Sequence, residues 1–157
     1  MKRTLFILFT FLNYFIFCQS FNEDKTAFSN FLKRMYIAKP FEGVKIVDDY
    51  DHQYLVSVIS LENAKYTSES TMNRVAQVKA QSQASTFLNG ATISMDMLIT
   101  TKETKDSKNN VKTIVETVEQ IKQNSVGFSQ GLELLTNFDN VDNKRTVYIY
   151  MRQLKIQ

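Results

Sequence analysis

The fold of this chain is decided by the stretch Tyr54-Leu-Val-Ser-Val-Ile-Ser-Leu61. Apolar residues, many of them β-branched, occupy both alternating sets of positions, and polar clusters bound the run. A short run of this kind is typical of a strand that is buried on both faces of a sheet. We therefore expect residues 54–61 to form a central strand.

The segment that follows has the pattern of an amphipathic helix. The Ser/Thr-rich residues 67–71 supply several possible N-caps, and the helix should run to about Leu88. Its alanines recur at a spacing of four, and small side chains allow a close approach to a sheet, so we expect helix-on-sheet packing. The apolar stripe consists of Met72, Val75, Ala76, Ala80, Ala84, Phe87 and Leu88.

Further strands are predicted after this unit. Residues 91–101 alternate between apolar and polar side chains, as a half-exposed strand does. Residues 131–138 and 146–154 are separated by turn-forming residues and should make a terminal hairpin. Residues 111–126 suit either a helix or a strand, and their density of Val, Ile and Thr favours a strand.

An additional helix is predicted over residues 22–39, ended by Pro40. Its apolar face should pack on its own domain; the alternative is docking on a membrane or a partner, and a polar face of mixed charge argues against an anionic membrane. The fold class is therefore α+β: an antiparallel sheet of about four strands with a long helix packed on one face, plus this N-terminal helix. The apolar face consists of Phe28, Phe31, Leu32, Met35 and Tyr36.

Residues 1–18 have the pattern of a secretory signal peptide. Lys2 and Arg3 precede an apolar run at 5–17, which is shorter than the ~20 residues that a helix needs to cross a membrane. Cleavage after Cys18 would leave residues 19–157, which we expect to form a single α+β domain with its core in 54–154. The chain should then be exported to the periplasm or the extracellular space.

Two alternatives to cleavage after Cys18 stay open. The signal could be retained as an anchor, or Cys18 could become the acylated first residue of a membrane-anchored lipoprotein. Small residues usually precede an acylated cysteine, whereas Phe15 and Phe17 stand here. We therefore favour cleavage, and expect membrane association only if Cys18 is acylated or the signal is retained.

The composition argues against several classes of chemistry. Loss of Lys2 and Arg3 lowers the formal net charge from +3 to +1, so the chain lacks the basic character of a nucleic-acid-binding protein. His52 is the only histidine, and we expect it on the surface. The acidic turn at residues 48–51 lacks the central glycine of a calcium loop and should be solvated. We expect no catalytic residues, no metal and no cofactor.

Three segments carry a resemblance to a known family. They are Asn73-Arg-Val-Ala-Gln-Val-Lys-Ala-Gln-Ser-Gln-Ala84, Gln123-Asn-Ser-Val-Gly-Phe-Ser-Gln-Gly-Leu132 and Val147-Tyr-Ile-Tyr150. Together they resemble the small bacterial envelope lipoproteins of the Lpp-twenty type and the related N-terminal domain of flagellar outer-ring proteins. The likeness covers residues 54–154 and departs at Cys18 and in the helix at 22–39. It implies an α+β domain at the envelope without a catalytic residue set.

Three functional hypotheses follow. The first is an exported, non-enzymatic envelope protein with a structural or interaction role, whose unidentified envelope partners contact a partly open strand face formed by Tyr148, Tyr150 and Arg152. The second is a periplasmic module that binds a small ligand between the first helix and the sheet. The third is an enzyme that uses acids such as Asp48 and Asp51. The ligand pocket of the second hypothesis would be lined by Phe28, Phe31 and Met35.

Overall fold

The computed structural model describes residues 20–49, 52–90, 98–100 and 125–154. The predicted signal peptide at 1–18 lies outside these residues, and so does 111–124, the larger part of the ambiguous segment. The chain divides into two compact units, residues 1–40 and residues 41–157. The expectation that 19–157 form a single domain stays a prediction.

The described part of the first unit is one helix, α1 (Ser20–Ala38). Among the side chains described from residue 25 onward, Phe28, Leu32 and Tyr36 are buried, and they recur every four residues on one side of the helix. The amide of Lys39 donates to the Met35 carbonyl at 2.9 Å, and the helix ends just before Pro40, which lacks an amide hydrogen. The helix predicted at 22–39 is therefore confirmed.

The second unit is built on a sheet with the strand order β3-β1-β2-β5-β4. β2 is the central strand and pairs antiparallel with β1 and β5, while β4 pairs antiparallel with β5. The short β3 lies parallel to β1 at the other edge. The α+β class, with four antiparallel strands, is confirmed. The strands are β1 (Gly43–Asp49), β2 (His52–Glu62), β3 (Leu98–Thr100), β4 (Glu133–Asp139) and β5 (Arg145–Leu154).

The centre of the sheet is apolar on both faces. Residues 55–61 of β2 are all buried, as the run of β-branched residues predicts for a central strand. In β5, Val147 and Ile149 are buried on one face and Tyr148 and Tyr150 on the other. Both faces of the sheet are therefore shielded from solvent at its centre.

The long helix α2 (Glu69–Gly90) covers the face that carries the tyrosines. The Ser68 hydroxyl oxygen accepts from the Thr71 amide at 3.2 Å and so caps the first turn, which fits the predicted Ser/Thr-rich entry. Ala80 is fully buried, and its carbonyl accepts a hydrogen bond from the Ser57 hydroxyl of β2 at 3.3 Å. This contact requires the helix backbone to lie close to the sheet, which the alanine stripe allows.

A short helix, α3 (Ser125–Gln130), precedes β4. The predicted strand at 111–126 is wrong at its last two residues, which begin this helix, while the rest of that segment lies outside the described residues. Of the strand predicted at 91–101, residues 98–100 form β3.

In the part of the chain that the structure describes, we find no helix with the length and apolar character needed to cross a membrane.

Candidate functional site

A cleft of about 770 Å³ lies beside the edge strand β4, open to solvent and bordered by α2. One wall is the exposed flank of the first half of α2, and the other is the start of β4. The two walls meet over β5, which contributes Tyr150. The lining residues are Glu69, Ser70, Asn73, Arg74 and Gln77 from α2, then Leu132, Glu133, Leu134 and Tyr150.

The floor of the cleft is fixed by hydrogen bonds that converge on Asn73. The Tyr148 hydroxyl donates to the Asn73 side-chain oxygen at 2.8 Å, and the Tyr150 hydroxyl donates to the Asn73 carbonyl at 3.4 Å. Both rings are almost fully buried, whereas Asn73 is half-buried at the edge of the helix. The two aromatic side chains of β5 thus hold one position of α2 from beneath.

Burial also sets the acidity of these hydroxyls. Loss of water contact is the main cause that raises the pKa of Tyr148, and the negative charges of Glu69 and Asp139 raise it further. The pKa of Tyr150 is raised by burial first and by the neighbouring Tyr148 second. Both tyrosines therefore remain neutral donors at physiological pH, as their bonds to Asn73 require.

The rim of the cleft combines apolar and charged groups. Leu134 is 47% exposed although it lies at the start of a strand, and it adjoins the buried Leu132. Glu69 and Arg74 are exposed on the helix side, and neither forms an ion pair with a described residue. With Glu133 on the strand side, the rim carries two acids and one base.

Arg152 connects β5 to α3 at the end of the cleft where β4 begins. Its guanidinium donates to the carbonyl of Gly127 at 2.9 Å and to that of Phe128, and it lies 4.4 Å from the centre of the Phe128 ring. A Cβ on Gly131 would collide with this guanidinium, so a side chain at 131 would displace it. Arg152 therefore holds α3 and the entry to β4 in place.

The predicted open face of Tyr148, Tyr150 and Arg152 is wrong as to its exposure. α2 covers that side of β5, so Tyr148 is fully buried and Tyr150 is 4% exposed at the floor of the cleft. The half-buried Arg152 is engaged with the carbonyls of α3. The contact surface available near these residues is instead the cleft that lies above Tyr150.

The residues of the predicted ligand pocket all belong to α1. Phe28 is buried, while Phe31 and Met35 are half-buried. A pocket between this helix and the sheet involves both units of the chain and stays a prediction. The cleft at β4 belongs to the second unit alone.

Of the acidic segment at 48–51 the structure describes Asp48 and Asp49, and the predicted solvated turn is wrong for Asp48. Asp48 and Asp49 are the last residues of β1, and Asp48 is only 8% exposed. Burial raises the pKa of the Asp48 carboxyl, the charge of Asp49 raises it further, and a hydrogen bond from Gln53 opposes the rise. His52 is exposed, as predicted, and its ring stacks on that of Tyr54.

Gln53 is the residue of β2 that pairs with Asp48, and its side-chain oxygen is buried without a hydrogen-bond partner in the structure. Among the described residues, no three His, Cys, Asp or Glu side chains are grouped so as to hold a metal ion. Asp51 lies outside those residues, so its pairing with Asp48 in an active site stays a prediction.

Sequence reasoning missed the helix side of the cleft. Glu69, Asn73 and Gln77 recur every four residues along α2, so they form a polar stripe beside the alanine stripe. That stripe could have been read from the sequence. The strand that faces it could not, because β4 reaches this place only through its pairing with β5.

No family model matches the chain, no curated protein matches it, and no solved structure matches it.

Proposed function

We propose that this protein is an exported, non-enzymatic component of a bacterial envelope that binds a segment of a partner protein in the cleft between α2 and β4. The observation that carries the proposal is the cleft itself: a buried tyrosine forms its floor, an exposed leucine lies at its rim, and charged groups surround both. Protein interfaces commonly combine an apolar centre with a polar rim in this way.

The residues of the cleft favour binding over catalysis. Nucleophilic catalysis needs a nucleophile beside a base, and a general acid is usually a carboxyl group shielded from water. The lining contains neither histidine nor cysteine, and the hydroxyl of its tyrosine is engaged with Asn73. The charged groups of the rim are exposed, where they suit the outer part of an interface.

Export is supported by the sequence of residues 1–18. Intact mass of the protein isolated from cells tests this part of the proposal. Cleavage after Cys18 gives a chain that begins at Gln19, whereas acylation leaves Cys18 in place and adds the mass of the lipid. A chain that keeps Met1 in the cytosol would refute export.

Site-specific photo-crosslinking tests the cleft. A photo-reactive phenylalanine at Gln77, which lines the cleft, should yield discrete cross-linked products in intact cells. The matched control is Lys79, an exposed residue of the same helix that is not part of the lining. A second variant that fills the cleft, Ser70→Trp, should suppress the products formed from Gln77. Equal products from both positions, or none from either, would contradict the proposal.

A small-ligand module is the second candidate, favoured by one observation. A volume of about 770 Å³ lies within the range of about 300–1,000 Å³ that small-molecule sites usually occupy. A metabolite that binds the folded state should raise the melting temperature of the purified protein, and Ser70→Trp should abolish the rise. This outcome without cross-linked protein would favour the ligand over the partner.

A further inference from the structure

We infer that the Asp48 carboxyl group and the Gln53 side-chain amide form a proton-operated link between β1 and β2. In its neutral form Asp48 donates its hydroxyl to the Gln53 side-chain oxygen, and the Gln53 side-chain nitrogen donates to Asp48 in return. The ionised form of Asp48 keeps only the second of these bonds. The link therefore tightens this end of the sheet at acid pH, and it does not depend on what the cleft binds.

The two side chains lie opposite each other across β1 and β2. Asp48 pairs with Gln53 in the antiparallel register, and the next pair on the same face is Ile46 with Leu55. Asp48 is 8% exposed and Gln53 is 7% exposed, while Ile46 and Leu55 are fully buried in the core under α2. The carboxyl group and the amide thus meet where the apolar core ends, shielded from water.

The hydrogen bonds of Gln53 are incomplete while Asp48 is ionised. A carboxylate only accepts hydrogen bonds, so it can bond to the Gln53 side-chain nitrogen but offers nothing to the Gln53 side-chain oxygen. That oxygen is buried and has no hydrogen-bond partner among the described residues. A buried acceptor without a donor destabilises the folded state, and such groups are rare in proteins. A proton on Asp48 supplies the donor that this oxygen needs.

The nearest groups on the neighbouring strands favour the neutral form of Asp48. Its burial and the negative charge of Asp49, the next residue of β1, both favour the bound proton. β3 pairs with β1 at this point and carries no titratable side chain. Leu154 is the β5 residue that pairs with Gln53. His52 pairs with Asp49 on the opposite face of the sheet.

The other charged groups that the structure describes on this face are engaged elsewhere or exposed. Arg152 lies on the same face of β5 as Leu154, but its guanidinium is bound to the carbonyls of α3. The helix α2 covers this face with uncharged buried residues, and its charged residues are exposed. The charged residues of α2 are Glu69, Arg74 and Lys79.

The link acts where three strands meet. Asp48 pairs with Gln53 of β2 on one side and with Thr100 of β3 on the other. In the part of the sheet that the structure describes, β3 joins the other strands through β1. Loss of the proton should therefore loosen the end of β1 and, with it, the pairing of β3.

Carbon NMR of the purified protein tests the pairing directly. The Asp48 carboxyl carbon and the Gln53 side-chain carbonyl carbon are followed from acid to neutral pH. We expect one shared midpoint, above the ordinary aspartate pKa of 3.8, because the Gln53 oxygen gains its donor only when Asp48 gains the proton. Amide hydrogen exchange in residues 46–48, corrected for the intrinsic effect of pH, should quicken about two- to tenfold as pH rises through that midpoint.

Two substitutions of neighbouring acids separate the link from a general effect of charge. Asp48→Asn places an amide opposite Gln53 that donates and accepts at every pH, so the Gln53 carbon should no longer titrate and the exchange should lose its pH dependence. Asp49→Asn is the matched control on the opposite face. It should keep the shared titration of Asp48 and Gln53 and only lower its midpoint, because a neighbouring negative charge has been removed.

Three results would overturn the link: a constant Gln53 signal while Asp48 titrates, an Asp48 midpoint at or below 3.8, or an unchanged Gln53 titration in Asp48→Asn. A saturable shift of the Gln53 carbon on addition of calcium chloride or sodium chloride at neutral pH would also overturn it, because a cation would then be the group bound to the oxygen. The titration and the salt addition use the unaltered chain, so they decide the question even where a variant does not fold.

Discussion

The bond from Tyr148 to Asn73 gives the sharpest test of how the sheet and α2 are joined. Tyr148→Phe removes a fully buried hydroxyl that donates to the Asn73 side chain at 2.8 Å. A hydrogen bond of normal length contributes about 0.5–1.5 kcal/mol net. Because Asn73 is half-exposed, water can partly replace the lost donor, and we expect a loss of about 1 kcal/mol.

Tyr150→Phe is the internal comparison. Its hydroxyl lies 3.4 Å from the Asn73 carbonyl, which is longer than the usual limit of about 3.0 Å for a hydroxyl donor, so its removal should cost less than about 0.5 kcal/mol. The assay is urea unfolding of the purified protein at neutral pH, with the denaturant slope checked for constancy among variants.

A double-mutant cycle isolates the Tyr148 bond itself. Tyr148→Phe and Asn73→Ala, alone and together, should give a coupling energy of about 1 kcal/mol. An exposed tyrosine on an open face would instead lose less than about 0.5 kcal/mol and show no coupling. Equal losses at Tyr148 and Tyr150, or zero coupling with Asn73, would refute the described packing of α2 on β5.

Three further predictions concern other parts of the second unit. Burial raises the pKa of Asp48 from 3.8, so the carboxyl group stabilises the folded state at acid pH, and this stabilisation is lost as pH rises through the folded pKa. Asp48→Asn should therefore stabilise the protein at neutral pH and flatten the dependence of the free energy of unfolding on pH in the acid range. Urea unfolding across that range measures this dependence. Gly131→Ala should cost about 1–2 kcal/mol by displacing the Arg152 guanidinium from its carbonyl partners, and Arg152→Ala in the same chain should leave no additional cost for the alanine at 131; additive thermal unfolding data would refute the contact. Ala80→Leu should cost about 1–3 kcal/mol by forcing α2 away from the sheet, whereas Lys79→Leu on its exposed side should change stability by less than about 0.5 kcal/mol in the same unfolding assay.

The sequence predicts those helices and strands whose residue pattern is compatible with only one structure. The β-branched run at 54–61 is too apolar for an edge, and it forms the central strand β2. The Ser68 cap and the alanine spacing define α2 at its start and along its buried face. At its end, Asn89 and Gly90 suggest a left-handed stop, yet Gly90 is helical with a negative φ.

The cleft was less predictable because it depends on which helix and strand faces pack against each other in the folded chain. Alternating Val and Tyr in β5 is compatible with an open tyrosine face or with one covered by a helix, and only packing decides between them. Asp48 shows the same limit, since three acids close together in sequence suggest a turn, whereas strand pairing with Gln53 buries one of them. Polar residues of α2 become a site only when β4 lies beside them.

The alanine stripe of α2 has a consequence for how the cleft keeps its shape. Small side chains allow the helix to lie close to the sheet, but they interlock weakly, so they do little to stop a displacement along the helix axis or a rotation about it. Among the described residues, the bonds that oppose such motion start from Ser57, which donates to the Ala80 carbonyl or to the Gln83 side-chain oxygen, and from Tyr148 and, more weakly at 3.4 Å, Tyr150, which both donate to Asn73. The tyrosine bonds lie directly beneath the cleft, so the separation of its walls is set from within the core before any partner arrives. A partner that fits this separation need not spend binding free energy on ordering the helix wall.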